Sequence, residues 1–218
     1  MTARKIHSGP DPVGLFSRRP ARRFQAYTLV EMLTVIAIIA LLATLVLAVI
    51  PMVREKRDKA VARAQLRALT VAINSYKTDL NEYPPDNPKA SDRPPLFYEL
   101  TGVSFDGSGV YRSAVAATNM AAANLPFSSK GFRNCRPDGG AGQNFYAELK
   151  PKQYAQDPSG PPYGGYWFLV VPVRGPDPDF NPFHYISTHP TNNPNSYDLW
   201  VDIMPRGKVI RIDNWSKN

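Results

Sequence analysis

A run of 22 residues from Met32 to Val53, MLTVIAIIALLATLVLAVIPMV, contains no charged side chain. A helix crossing the hydrocarbon core of a bilayer needs about 20 apolar residues, so this run is long enough to span one. Two other readings compete. A helix buried in a soluble core is also apolar all round. A cleaved secretory signal has an apolar core of about 7–15 residues ending at an A-x-A-like site. The length of the run and its continuation into a second helical pattern oppose the signal peptide. The flank opposes the core helix. Of the net charge of +8, five units lie in residues 1–26, where Arg4, Lys5, Arg18, Arg19, Arg22 and Arg23 face only Asp11. A basic flank ahead of a first apolar span favours a cytoplasmic N-terminus. The remaining chain carries little excess charge, so nucleic acid is not an expected partner.

The run continues as REKRDKAVARAQLRALTVAINSYKTDL. Ala62, Leu66, Leu69, Ile73, Tyr76 and Leu80 recur at spacings of three and four, which is the stripe of an amphipathic helix. No glycine interrupts Tyr27 to Asp79, and Pro51 is the only proline there. The pattern predicts one helix of about 53 residues, roughly 80 Å long at 1.5 Å per residue. Its first half is apolar on every side and its second half on one. Pro51 removes a backbone hydrogen bond and is expected to bend or loosen the helix locally.

Glu31 stands at the edge of the apolar run. An acid at mid-membrane costs about 3 kcal/mol. It is therefore either an interfacial residue near the headgroups or a group with a cationic partner. A cut after Ala26 would give Tyr27 a new α-amino group with a pKa of about 8. Glu31 lies one helical turn further on and could neutralise that amine, or the amine of an adjacent subunit.

Familiar enzyme chemistry is disfavoured. The only cysteine is Cys135, which excludes an intramolecular disulfide and a four-cysteine zinc site. The histidines are His7, His184 and His189, with no HExxH pair among them, and GxSxG, P-loop and GxGxxG motifs are absent. Trp167, Trp200 and Trp215 read as core or edge packing, since aromatics dominate small cores. The cluster Arg54, Lys56, Arg57 and Lys59, with Glu55 and Asp58 between, reads as a solvated helix face with intrahelical pairs. A place at the membrane surface or against acids of a neighbouring subunit is the alternative.

The segment RRFQAYTLVEMLTVIAIIALLATLVLAVIP resembles the type IV prepilin signal of type IV pilins and type II secretion pseudopilins. The matching features are the basic leader, Ala26, Tyr27, Thr28, Leu29 and Glu31 ahead of the apolar helix. The resemblance implies cleavage between Ala26 and Tyr27 by a prepilin peptidase, N-methylation of Tyr27, and assembly through Thr28, Leu29 and Glu31. Two positions depart from the usual pattern. Ala26 stands where glycine is usual, and Tyr27 where phenylalanine is usual.

A second resemblance is narrower. DPSGPPY, with Asp157, Pro158, Gly160, Pro162 and Tyr163, is similar to a segment of the major pseudopilin of type II secretion, the general secretion pathway protein G family. The closing stretch YDLWVDIMPRGKVIRIDNW, with Tyr197, Asp198, Leu199, Gly207, Asp213, Asn214 and Trp215, resembles the end of the same family. KTDLNEYP, ending in Tyr83 and Pro84, resembles its helix end. Residues 86–153 have no such counterpart. The family binds calcium near its closing acids, which makes Asp198, Asp202 and Asp213 candidate ligands here. Calcium takes six to eight oxygens. Pro205-Arg206-Gly207 stands where the family tends to have Asp-Gly, and Arg206 brings a cation to the same region. No other cofactor is expected.

Proline and glycine pairs punctuate residues 84–165 and mark turns and loops. Short helices are expected at Pro95–Leu100 and Ser113–Ala123. Strands are expected at Tyr166–Val173, Tyr197–Met204 and Lys208–Asp213, with Arg206-Gly207 as a hairpin turn and His184–Ser187 as a short extra strand. The expected fold is α+β and pilin-like: a long N-terminal helix, membrane-spanning in its first half, packed on a small antiparallel sheet with a loop-rich insertion. Its parts are a basic leader at 1–26, the helix at 27–80 with its span at about 32–53, and an extracytoplasmic globular domain at 81–218 that is loop-rich over 86–165.

The expected function is that of a pseudopilin of a type II secretion pseudopilus. It would be a single-pass protein of the inner membrane with a cytoplasmic N-terminus. Its expected partners are the prepilin peptidase, copies of itself, other pseudopilins and the inner-membrane secretion platform. A type IV pilin for adhesion, motility or DNA uptake is the alternative within the same architecture. A membrane-anchored extracytoplasmic enzyme or binding protein is the alternative from another class.

Overall fold

The structure is a computed structural model and describes residues 27–116, 118–127, 131–136 and 138–216. The chain divides into two units, residues 1–46 and 47–218. One helix, α1 (Leu29–Leu80, 52 residues), contributes to both. It starts two residues later than the sequence pattern suggests, and its helical assignment passes through Pro51.

In the first unit the described side chains of α1 are all exposed. The most apolar window of the helix buries nothing within the chain. An exposed surface of leucine, isoleucine and valine on this scale needs an apolar environment from outside the chain, because each such side chain gains roughly 1.5–3 kcal/mol on burial.

The second unit has an ordinary core. Ala62, Leu66, Leu69, Ile73 and Tyr76 form the buried stripe of α1 as the spacing predicts. Leu80 does not join it and is 38% exposed. It is the last residue of α1, and Asn81 turns the chain away with a left-handed φ of 58°. Asparagine tolerates that conformation and commonly ends helices. Gln65 ties α1 to the sheet side by donating Nε2–H to the Val170 carbonyl at 2.7 Å.

A second helix, α2 (Leu96–Thr101), is buried throughout. It follows Pro94-Pro95, and its end at Gly102 has φ 83°, which only glycine adopts cheaply. The expected helix at Ser113–Ala123 is not formed. Residues 103–136 instead carry a four-stranded sheet of β1 (Val103–Phe105), β2 (Val110–Ser113), β3 (Asn119–Ala121) and β4 (Cys135–Arg136), in the order β3-β2-β1-β4. Only Ala122–Asn124 is helical, as one 3₁₀ turn. The alanines favour helix locally, but pairing of β3 with β2 and burial of Met120 decide otherwise. The region expected to be loop-rich thus contains its own sheet.

Two further sheets complete the unit. The pair β5 (Tyr154–Gln156) and β6 (Trp167–Leu169) is antiparallel, so the strand expected over Tyr166–Val173 is shorter, followed by a single bridge from Val170 to Pro182. An antiparallel meander joins β7 (His184–Ile186), β8 (Asp198–Ile203) and β9 (Ile210–Asp213). Along β8, Leu199, Val201 and Ile203 are buried while Trp200 and Asp202 are half-exposed on the other face, the period of two expected of a one-sided sheet. Pro205–Gly207 turns β8 into β9 with Arg206 and Gly207 at φ 55° and 76°. Long helix plus small, mostly antiparallel sheets is the expected α+β, pilin-like arrangement.

Candidate processing and assembly site

Thr28 and Glu31 build the start of α1. Glu31 N–H donates to Thr28 Oγ1 at 3.2 Å, and Thr28 N–H donates to Glu31 Oε2 at 3.4 Å. This is a reciprocal capping box, in which two of the otherwise orphaned N-terminal donors of a helix are satisfied by side chains. The negative charge also suits the positive end of the helix dipole. The sequence carries the signal, a threonine followed three residues later by glutamate before an apolar run, and capping adds to the interfacial, amine-pairing and assembly roles expected of Glu31. Tyr27 precedes the helix and is 71% exposed, and Leu29 is 81% exposed. Ala26 lies outside the described residues. Thr34 and Thr44 satisfy their hydroxyls within the helix by donating to the carbonyls of Glu31 and Leu41, which keeps the apolar surface free of unpaired polar groups.

The remaining sequence-selected residues lie in the second unit and hold its loops. Asp157 is 3% exposed and pairs with Arg93, whose guanidinium also stands over the Phe180 ring at 4.7 Å. Burial opposes the Asp157 charge, but bonds from Ser159 and Arg93 outweigh it and hold the carboxyl below its ordinary value. Tyr163 OH accepts Asn87 Nδ2–H at 3.0 Å. Pro158, Gly160 and Pro162 shape the loop between these anchors, where Gly164 N–H bonds the Gly160 carbonyl. Tyr197 is buried against Tyr83, ring centroids 5.1 Å apart, and Leu199 is fully buried. Asn214 accepts Leu199 N–H and donates to the Tyr197 carbonyl, closing the C-terminal turn.

The three calcium candidates are engaged separately. Asp198 is 1% exposed, and its carboxylate accepts the backbone N–H groups of Thr191, Asn192 and Asn193. Asp202 forms a two-bond pair with Arg211 at 2.9 and 2.8 Å. Asp213 accepts N–H bonds from Trp215 and Ser216. Among the described residues no group of three or more His, Cys, Asp or Glu is placed to hold a metal ion.

The aromatic residues pack as expected. Trp167 donates Nε1–H to Thr118 Oγ1 and lies against Tyr154. His184 stacks on Trp200 at 4.7 Å, and Trp215 meets Trp200 edge-on. Burial pushes the His184 pKa down. Two features had no sequence signal. Glu99, fully buried on α2, accepts Tyr76 OH at 3.0 Å and the N–H groups of Arg133 and Asn134 at 2.9 Å each. Arg93 reaches Asp157 across 64 positions of sequence. Both are long-range meetings that spacing does not encode.

Residues 21–47 match the family described as the prokaryotic N-terminal methylation motif. The chain therefore begins with a type IV prepilin-like N-terminus. That match covers Arg22 and Arg23 of the basic flank, Ala26-Tyr27, the capping-box residues Thr28 and Glu31, and most of the bare apolar run. No curated protein and no solved structure matches the chain. The motif implies processing by a prepilin peptidase and pilus-like assembly. Among the described residues α1 is the one helix long and apolar enough to cross a membrane, and together with the motif it suggests a single-pass, membrane-anchored protein with a type IV prepilin-like N-terminus.

Proposed function

We propose that the chain is a structural, non-enzymatic pseudopilin subunit of a type II secretion pseudopilus. The carrying observation is the prepilin-like N-terminus on a helix whose first half is bare and whose second half is buried in a folded unit. Such a helix is satisfied by lipid before assembly and by neighbouring helices afterwards. The basic leader supports an inner-membrane orientation with the N-terminus cytoplasmic and the folded unit outside. The DPSGPPY loop and the YDL closing stretch support the secretion branch over the pilus branch. Cleavage after Ala26 exposes the Tyr27 amine beside Glu31, and that carboxylate then rewards correct register as each subunit adds.

Mass spectrometry of protein from native membranes tests the processing. The expected mature chain starts at N-methyl-Tyr27, and Ala26→Leu blocks the cut. A mature protein that keeps Met1, or starts beyond residue 50, overturns the prepilin reading. Deletion of the gene is expected to retain secreted proteins inside the cell. Loss of surface pili with normal secretion assigns the chain to the pilus branch instead.

A further inference from the structure

The turn between β8 and β9 folds back onto the point where α1 leaves its apolar run. Val53 ends that run, and Arg54, Lys56 and Arg57 follow it with exposed side chains. Beside them Arg206 Nε lies 3.7 Å from Glu55 Oε2. A hydrogen bond from Lys59 holds the Glu55 carboxyl below its ordinary value, and the charges of Arg206 and Lys208 add to the effect. Lys208 follows Arg206 by two residues at the end of the same turn, and its charge acts on Glu55 as well.

Six cations, Arg54, Lys56, Arg57, Lys59, Arg206 and Lys208, thus stand around two acids, Glu55 and Asp58. Lys59 and Arg206 share Glu55. Arg54, Lys56, Arg57 and Lys208 form no ion pair among the described residues. Next to Lys208, Val209 is 49% exposed, and Met52 is 54% exposed at the end of the apolar run. Read as linear sequence, Arg54 to Lys59 is a solvated helix face. The fold adds to that reading, because it brings Arg206 to Glu55 just past the apolar run, with Lys208 and the exposed Val209 following Arg206 in the same turn.

We infer that this collar is a docking surface for the phosphate headgroups of anionic phospholipids, on the leaflet from which α1 emerges. Juxtamembrane cations are drawn to an anionic surface within a Debye length. Guanidinium groups match phosphate oxygens with two parallel N–H donors. Val209 and Met52 enter the apolar side of the interface while the charges stay among the headgroups. The collar holds the base of the folded unit against the bilayer before assembly, and extraction from the membrane has to break it. This inference rests on residues 32–53 spanning a membrane and is independent of the secretion assignment.

The test places the full chain, with Cys135→Ser and an environment-sensitive dye on Val209→Cys, in nanodiscs of phosphatidylcholine with or without phosphatidylglycerol. The expected result is a blue shift of the dye with phosphatidylglycerol. It disappears at about 1 M salt, where the Debye length falls to about 3 Å. It is also lost in Arg206→Gln/Lys208→Gln, with an unchanged melting curve confirming that this variant folds. Equal emission in both lipids overturns the lipid surface, as does a shift that survives in the double variant. A shift without phosphatidylglycerol that needs several copies per disc assigns the collar to acids of a neighbouring subunit and likewise overturns it. Failure of the chain to enter discs overturns the membrane span itself.

Discussion

Glu31 stands at the meeting of an observed role and a proposed one. In the intact chain its carboxylate closes the capping box with Thr28; the proposed cut after Ala26 would leave it one turn from a cationic amine. Glutamine retains the capping box but carries no charge, so the two roles separate. Glu31→Gln is expected to keep membrane insertion and cleavage and to lose most filament yield. Glu31→Ala is expected to lose assembly together with about 0.5 kcal/mol from the capping box and helix dipole. A sheared-filament assay with a membrane-fraction blot reads both, and full filament yield from Glu31→Gln returns the residue to a purely capping role. Asp157 and Glu99, two of the buried carboxylates, have opposite consequences for pH. Asp157 has a lowered pKa, because Ser159 and Arg93 outweigh burial, so its contribution is present above the unfolded value of about 3.9 and is lost as pH falls through the folded one. Asp157→Asn breaks a buried pair and is expected to cost about 3 kcal/mol at neutral pH. Glu99 has a raised pKa because burial penalises its charge. Its contribution is full below the unfolded value of about 4.3 and is lost as pH rises through the folded one. The stability difference between the wild type and Glu99→Gln should therefore shrink as pH rises above about 4.3, as read by urea unfolding of the full chain in detergent. A difference that grows with pH would contradict the burial argument.

Among elements, α1 is the most legible in the sequence and β1 to β4 the least. Spacings of three and four marked Ala62, Leu66, Leu69, Ile73 and Tyr76, and all are buried. The pattern failed at Leu80, where the chain turns at Asn81 before another layer can cover the side chain. This difference is measurable. Leu69→Ala is expected to cost about 2–5 kcal/mol by removing core contacts and leaving a cavity. Leu80→Ala should cost about 0.5 kcal/mol or less, as for a surface site. Equal costs at the two positions would mean that Leu80 is covered in the assembled molecule. Strands of two to four residues, such as those of residues 103–136, are too short for alternation to be counted, so local alanine propensity suggested a helix at Ser113–Ala123. The meander β7-β8-β9 was readable because β8 is six residues long and ends in a turn containing glycine.

At the scale of the whole molecule, the acids near the C-terminus are engaged within the fold, Asp198 and Asp213 by loop N–H groups and Asp202 by a cross-strand pair. Asp198 is enclosed by three backbone N–H donors, and Asp202 is held by Arg211. We propose that stability is independent of calcium: melting temperatures with calcium and with chelator are expected to agree, and a rise with calcium would mean that these loops rearrange around an ion. What the sequence determined by itself is local. The apolar run, the basic flank, the prepilin-like motif and the helix stripe are contiguous, and contiguous patterns are what period and length record. Only the tertiary structure decided that Asp157 meets Arg93, that Glu99 ties α1 to the segment at Arg133 and Asn134, and that Arg206 reaches Glu55. Each is a polar meeting between distant segments, set by how the sheets stack on α1 and by the need to satisfy buried charge. Residue type and spacing show which side chains need a partner, while packing selects which partner each one finds.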